Sequence, residues 1–185
     1  MASSPWQAIT EVFAAEFSDV PDLAQLVRIG IRLLLAAVLG FMLGFEREHQ
    51  GKAAGVRTHM LVSIGAALFV LVPQQSGTVA ADMSRVIQGL VAGVGFLCAG
   101  TILKQGRRAE QEVQGLTTAA GLWLTAAIGM ACGLGREVTA ILSALLALAV
   151  LALIPRLVTL IERVAGPPKE EMPRIVRADE QAPPR

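Results

Sequence analysis

The stretch LLLAAVLGFMLGFERE, Leu33 to Glu48, and its continuation HQGKAAGVRTHMLVSIGAALFVLV, His49 to Val72, decide the fold. Two apolar runs flank a compact charged loop. That loop holds Gly44-Phe45-Glu46-Arg47-Glu48 and then Ala54-Gly55-Val56-Arg57-Thr58. A second loop of the same design runs from Lys104 to Gly115-Leu116-Thr117-Thr118. Nearly everything else between Leu26 and Leu157 is hydrocarbon, so the chain reads as a membrane protein with its chemistry at the membrane surface.

Composition agrees. Hydrophobic residues make up 54% of the 185 residues and charged residues 17%, too little charge to keep a soluble domain dispersed. The net charge of +1 gives no pull toward nucleic acid. The N-terminal segment before Arg28 has no Lys or Arg, so no signal peptide is expected. Cys98 and Cys132 lie in separate apolar runs and read as buried free thiols.

A bilayer core of about 30 Å takes roughly 20 apolar residues as helix. Five runs qualify: Leu26–Phe45, Val56–Val72 stopped by Pro73, Val86–Leu103, Leu116–Leu134, and Val138–Ile154 stopped by Pro155. The expected fold class is all-α, a polytopic bundle of about five spans over residues 26–157. A tail over residues 1–25 precedes it, and a mostly disordered, Pro-rich tail over residues 158–185 follows. Arg47, Lys52 and Arg57, then Lys104, Arg107 and Arg108, then Arg156, Arg163 and Lys169 all fall on one side of a five-span chain. That side is expected to be cytoplasmic, with the N-terminus out and the C-terminus in. In the first tail Ser4, Pro5 and Gln7 fit the start of a helix, and Trp6, Ile9, Phe13 and Phe17 share a face. This predicts an interfacial helix anchored by Trp6, or else a lid packed on the spans.

An offset of sixty aligns Gly40 with Gly100, Gly55 with Gly115, Thr58 with Thr118 and Ala66-Ala67 with Ala126-Ala127. The first two hairpins therefore read as a weak internal repeat.

Small residues let membrane helices approach closely. Gly89, Gly93, Gly95 and Gly100 free the third span of bulk, and Gly40 and Gly44 make a second such place on the first. The third span reads as packing within one subunit, as a homodimer seam, or as a narrow backbone-lined path. Glu46 and Arg57 border the first loop and are expected to pair, with Arg47 and Glu48 extending the cluster. The cluster reads as a site for an ion, a phosphate-bearing ligand or a protein partner, or simply as a salt bridge closing the loop. Whether Glu46 and Glu48 hold a metal stays open, since they converge on a loop but diverge on a helix. Spans two to four contain no Asp or Glu, which argues against a self-sufficient ion pump. His49 and His59 lack a nucleophile or ligand set and read as interfacial. No enzyme activity and no cofactor are expected. Leu33 to Phe45 covers only about 20 Å as helix, which places Arg32 inside the outer leaflet. There it snorkels outward or pairs with Asp82.

The string from Gly44 through Glu46-Arg47-Glu48 and Ala54-Gly55-Val56-Arg57-Thr58 to Phe69 resembles the first hairpin of the MgtC/SapB family. Val94–Leu103 and Gly115–Trp123 are similar to its second hairpin. The resemblance covers roughly Leu33 to Leu134. It implies a bacterial inner-membrane protein of about five spans, associated with adaptation to low Mg²⁺ and with survival inside host cells. Two departures stand out. Cys98 replaces a usual Gly, which implies looser packing of the third span, and the chain has only a short tail where longer members carry a cytosolic domain. The expected activity is non-enzymatic modulation of a membrane partner such as an ATPase. The alternative is transport of a small ion, Mg²⁺ included. The lipid bilayer, a membrane-protein partner and a second copy of the chain are the expected partners. Thr58, Thr117 and Thr118 join Glu46, Arg47, Glu48 and Arg57 as candidate contacts.

Overall fold

The computed structural model describes residues 4–18, 22–106 and 115–165, with side chains to 102 and 164 in the latter two stretches. The helices are α1 (Pro5–Glu16), α2 (Leu23–His49), α3 (Val56–Gln75), α4 (Ala80–Gly106), α5 (Leu116–Gly133) and α6 (Glu137–Ala165). The described residues contain no strand. Five helices, α2 to α6, are long and apolar enough to cross a membrane. The protein is therefore an all-helical, polytopic membrane protein.

α5 is the hub. It packs against α2, α3, α4 and α6, whereas among the described residues α4 touches only α3 and α5. Close packing follows small residues spaced one turn apart. A Cβ on Gly40 would lie 3.0 Å from the Ser63 side chain, and one on Gly44 would lie 2.6 Å from the Val56 Cα. Gly129 and Gly133 of α5 lie on the backbone of Ser63 and Ala67 of α3. α3 is thus gripped from both sides, antiparallel to α2 and parallel to α5. Ser63 sits at the junction, fully buried, and its hydroxyl has no hydrogen-bond partner.

The third span behaves differently from the sequence reading. Nothing lies within 4 Å of a Cβ placed on Gly89, Gly93, Gly95 or Gly100. These glycines face outward, so packing within the subunit is not their role. The glycines that make close contact within the bundle are Gly40 and Gly44, as expected, together with Gly129 and Gly133. α4 meets α5 instead through Val94 and Cys98, whose thiol donates to the Ala119 carbonyl at 3.1 Å. Both cysteines are free and buried.

Neither proline ends its helix. Pro73 falls in the last turn of α3, where few downstream bonds remain to lose. Pro155 lies within α6 and leaves the Leu151 carbonyl without its helical donor. Gln50 Nε2 donates to that carbonyl at 3.3 Å, which ties α2 to α6 at the break.

Ser4 and Gln7 form the expected reciprocal cap of α1. α1 buries none of its residues and packs on no other described helix. The repeat is legible at the helix starts. Gly55 and Gly115 precede α3 and α5, and Thr58 and Thr118 are each the third residue of their helix. It fails in packing, because Gly40 is enclosed and Gly100 is open. The residues of the second loop from Arg107 to Gln114, and the tail from Gly166, lie outside the described residues, as do the side chains of Leu103 and Lys104.

Candidate functional site

The buried stripe of α2 recurs at Ala36, Leu39, Gly40, Leu43, Gly44 and then Arg47. A spacing of three and four keeps all six on one helical face. Arg47 therefore points into the bundle, with only 2% of its surface exposed. Its Nη2 donates to Thr118 Oγ1 at 3.0 Å, and its Nη1 reaches Gln50 Oε1 at 3.5 Å. Its Nε has no partner. Among the described residues no carboxylate is within ion-pairing distance of it.

The loop closes differently from expectation. Arg57 is exposed, and it does not pair with Glu46. Glu48 Oε2 accepts from the Val56 N–H at 2.8 Å and so caps α3. Glu46 Oε1 accepts from Gln50 Nε2 at 2.7 Å. The physical reason is the length of α2. It runs to His49, past the apolar run, so Glu46 and Glu48 project from a helix and diverge.

A cleft opens at this end of the bundle. Glu46, Arg47, Gln50 and Lys52 line one wall, Gly115 to Thr118 the second, and α6 from Val150 to Arg156 the third. The Pro155 break forms part of that wall. Gly115 enters α5 with φ +92, a left-handed conformation, and offers no side chain to cap the helix. From the cleft an apolar slot of about 350 Å³ runs between α5 and α6 over Leu43 and His59. His59 is buried within the bundle, 1% exposed. Its Nδ1–H donates to the Gly55 carbonyl at 3.0 Å. His49 is exposed at the mouth. Thr117 lines both cleft and slot, while Thr58 is half-buried outside them.

The opposite end holds the second arginine of α2. Arg32 Nη1 donates to Gln74 Oε1 at 2.9 Å and to the Gly133 carbonyl at 3.1 Å, and its Nε lies 3.7 Å from Glu137 Oε1. Asp82 is not its partner; it faces Arg85 at 3.8 Å. The topology explains this. Asp82 begins α4, which does not touch α2, whereas Glu137 begins α6, which does. Arg32 thus joins α2, α3, α5 and α6, and it sits favourably at the negative end of α5.

Sequence reasoning missed Gln50, Glu137 and the glycine pair of α5, and gave His59 no place in the site. The stripe from Ala36 to Arg47 was available as a signal, had α2 been followed past Phe45. No group of three or more His, Cys, Asp or Glu residues suited to a metal ion occurs among the described residues.

These features define a helical membrane protein with a polar cleft at one end of the bundle. The model of the MgtC family matches residues 33–160, and the chain belongs to that family. It is 47% identical over 116 residues to protein SrpB of Synechococcus elongatus, covering 58% of this chain and 64% of that one. It is 43% identical over 128 residues to YhiD of Escherichia coli K12, named a "putative magnesium transporter", covering 65% and 58%. It is 43% identical over 129 residues to protein MgtC of Brucella abortus, covering 69% and 51%. The chain thus spans about half to two thirds of the length of these relatives. No solved structure matches it.

Proposed function

We propose that the chain is a non-enzymatic modulator of a membrane partner such as an ATPase, linked to Mg²⁺ limitation. It would sit in the bacterial inner membrane, with the Arg47 end toward the cytosol and the N-terminus outside. The seam between α3 and α5 carries this reading. A pump or channel needs a hydrated path or an ionisable group near the midplane. Here backbone meets backbone at Gly129–Ser63 and Gly133–Ala67, with Leu122 and Ile128 fully buried alongside. What the described bundle offers to others is its surface, including the outward glycines of α4, and the cleft at one end.

The test is ATP-driven proton pumping in inverted membrane vesicles that contain graded amounts of the chain. A dose-dependent change in pumping at constant ATPase content is expected. Unchanged pumping at every dose would contradict modulation of that partner. The second reading, transport of a small ion, draws on the name of the Escherichia coli relative and takes the cleft as a vestibule. It requires flux through the chain alone.

A further inference from the structure

We propose that the Arg47 cleft and the slot that runs from it seat one anionic phospholipid of the bilayer. The headgroup phosphate lies in the cleft and an acyl chain lies along the slot.

The first argument is charge. Arg47 is nine-tenths buried and more, its hydrogen bonds go only to the neutral side chains of Thr118 and Gln50, and its Nε is unpartnered. A buried guanidinium without a countercharge is strongly disfavoured. Its place makes matters worse. Thr118 lies in the first turn of α5, so the cation sits beside the positive end of that helix, whose N-cap Gly115 supplies no side-chain cap. Lys52 and Arg156 line the same cleft. Among the described residues Glu46 is the one carboxylate lining the cleft; it bonds the Gln50 amide and makes no ion pair with Arg47, so it tempers the positive charge of the cleft without cancelling it. A cation, a helix N-terminus and further basic groups around one cleft form an anion site.

Two internal comparisons sharpen this. The equivalent start of α3 is served by the Glu48 carboxylate, an anion from the chain itself. The half-buried arginine at the other end of α2, Arg32, has Glu137 and the C-terminal carbonyl of α5. Only the Arg47 end lacks its negative partner among the described residues.

The second argument is shape. Cleft and slot share Thr117, Val150 and Leu151, so the site is continuous. The slot is apolar and of a size that takes organic ligands. Leu146 and Val150 on its rim are exposed, which opens it to surrounding lipid. Free phosphate would use the cleft and leave the slot empty. A ligand with a phosphate head and a hydrocarbon tail fills both. The site also lies a turn past the apolar run of α2, the depth of headgroups, where basic pockets between helices take anionic lipids.

The test uses the full chain, delipidated in detergent, with binding followed by native mass spectrometry. The probes are phosphatidylglycerol, phosphatidylcholine, glycerol phosphate and inorganic phosphate. Phosphatidylglycerol should bind in one-to-one ratio, ahead of the other three. Lys52→Gln and Arg156→Gln, both exposed and outside the core, should each weaken it by about fivefold. Ala120→Phe, which fills the slot from its exposed rim, should remove the preference for the lipid over glycerol phosphate. Arg47→Gln should abolish binding if it folds, and the exposed variants decide the matter if it does not. Equal binding of the two lipids, equal binding of glycerol phosphate and the lipid, or insensitivity to both Lys52→Gln and Arg156→Gln would overturn the proposal.

Discussion

Gly129→Ala is the sharpest probe of the packing. The new Cβ would lie 2.7 Å from the Ser63 carbonyl carbon and Cα. Carbon atoms settle at roughly 3.5–4.0 Å, so α5 must retreat from α3 by about 1 Å. A gap of that size forfeits a quarter to a half of each contact along the seam. Gly133 on Ala67, one turn further, would be loosened together with it. Overpacking of this kind costs about 1–3 kcal/mol. Gly→Ala also gains about 1 kcal/mol in helix propensity, which partly offsets the loss. Gly93→Ala supplies the control. It carries the same propensity gain and meets nothing within 4 Å. Reversible unfolding in mixed detergent micelles should therefore place Gly129→Ala about 1–3 kcal/mol below Gly93→Ala. Equal stability of the two variants would refute the α3–α5 seam.

Three further outcomes follow from named contacts. Ser63→Ala should leave stability unchanged or raise it by up to about 1 kcal/mol, because it removes a buried hydroxyl that has no partner; a large loss in the same unfolding assay would show an unseen bond. Gln50→Ala should cost about 0.5–1.5 kcal/mol more in the native background than beside Pro155→Ala, which restores the N–H for the Leu151 carbonyl, whereas its bonds with Glu46 and Arg47 are lost in both; additive losses in a double-mutant cycle would break the link. Arg32→Met and Glu137→Gln should couple by up to about 1 kcal/mol, given that Glu137 is 40% exposed, whereas Asp82→Asn should be additive with Arg32→Met; coupling to Asp82 in unfolding measurements would reverse that assignment.

The number of spans and the loops between them were legible because hydropathy and charge alternate in blocks. Helix ends were not, because they depend on neighbours. Pro155 reads as a stop, but a glutamine from another helix serves the carbonyl it frees. Arg47 reads as a loop residue, but α2 continues on its buried stripe. Glycine content pointed to α4, whereas tight contact needs glycines one turn apart facing a small residue, as Gly129 and Gly133 face Ser63 and Ala67. Which face a glycine presents is set by the partner helix, and composition does not carry that. The pairing of Arg32 with Glu137 depends on α6 lying against α2, a tertiary fact that loop proximity does not supply. Thr118 stood among the candidates, but its tie to Arg47 spans 71 positions and needed the fold.

The proposed function has the bundle closed to ions and acting on something other than a cargo. It is tested most directly by reconstituting the purified chain in liposomes that enclose a Mg²⁺-sensitive dye, under a Mg²⁺ gradient and a membrane potential. The sealed α3–α5 seam predicts influx at the rate of protein-free liposomes. Saturable influx that rises with the amount of protein reconstituted would contradict it.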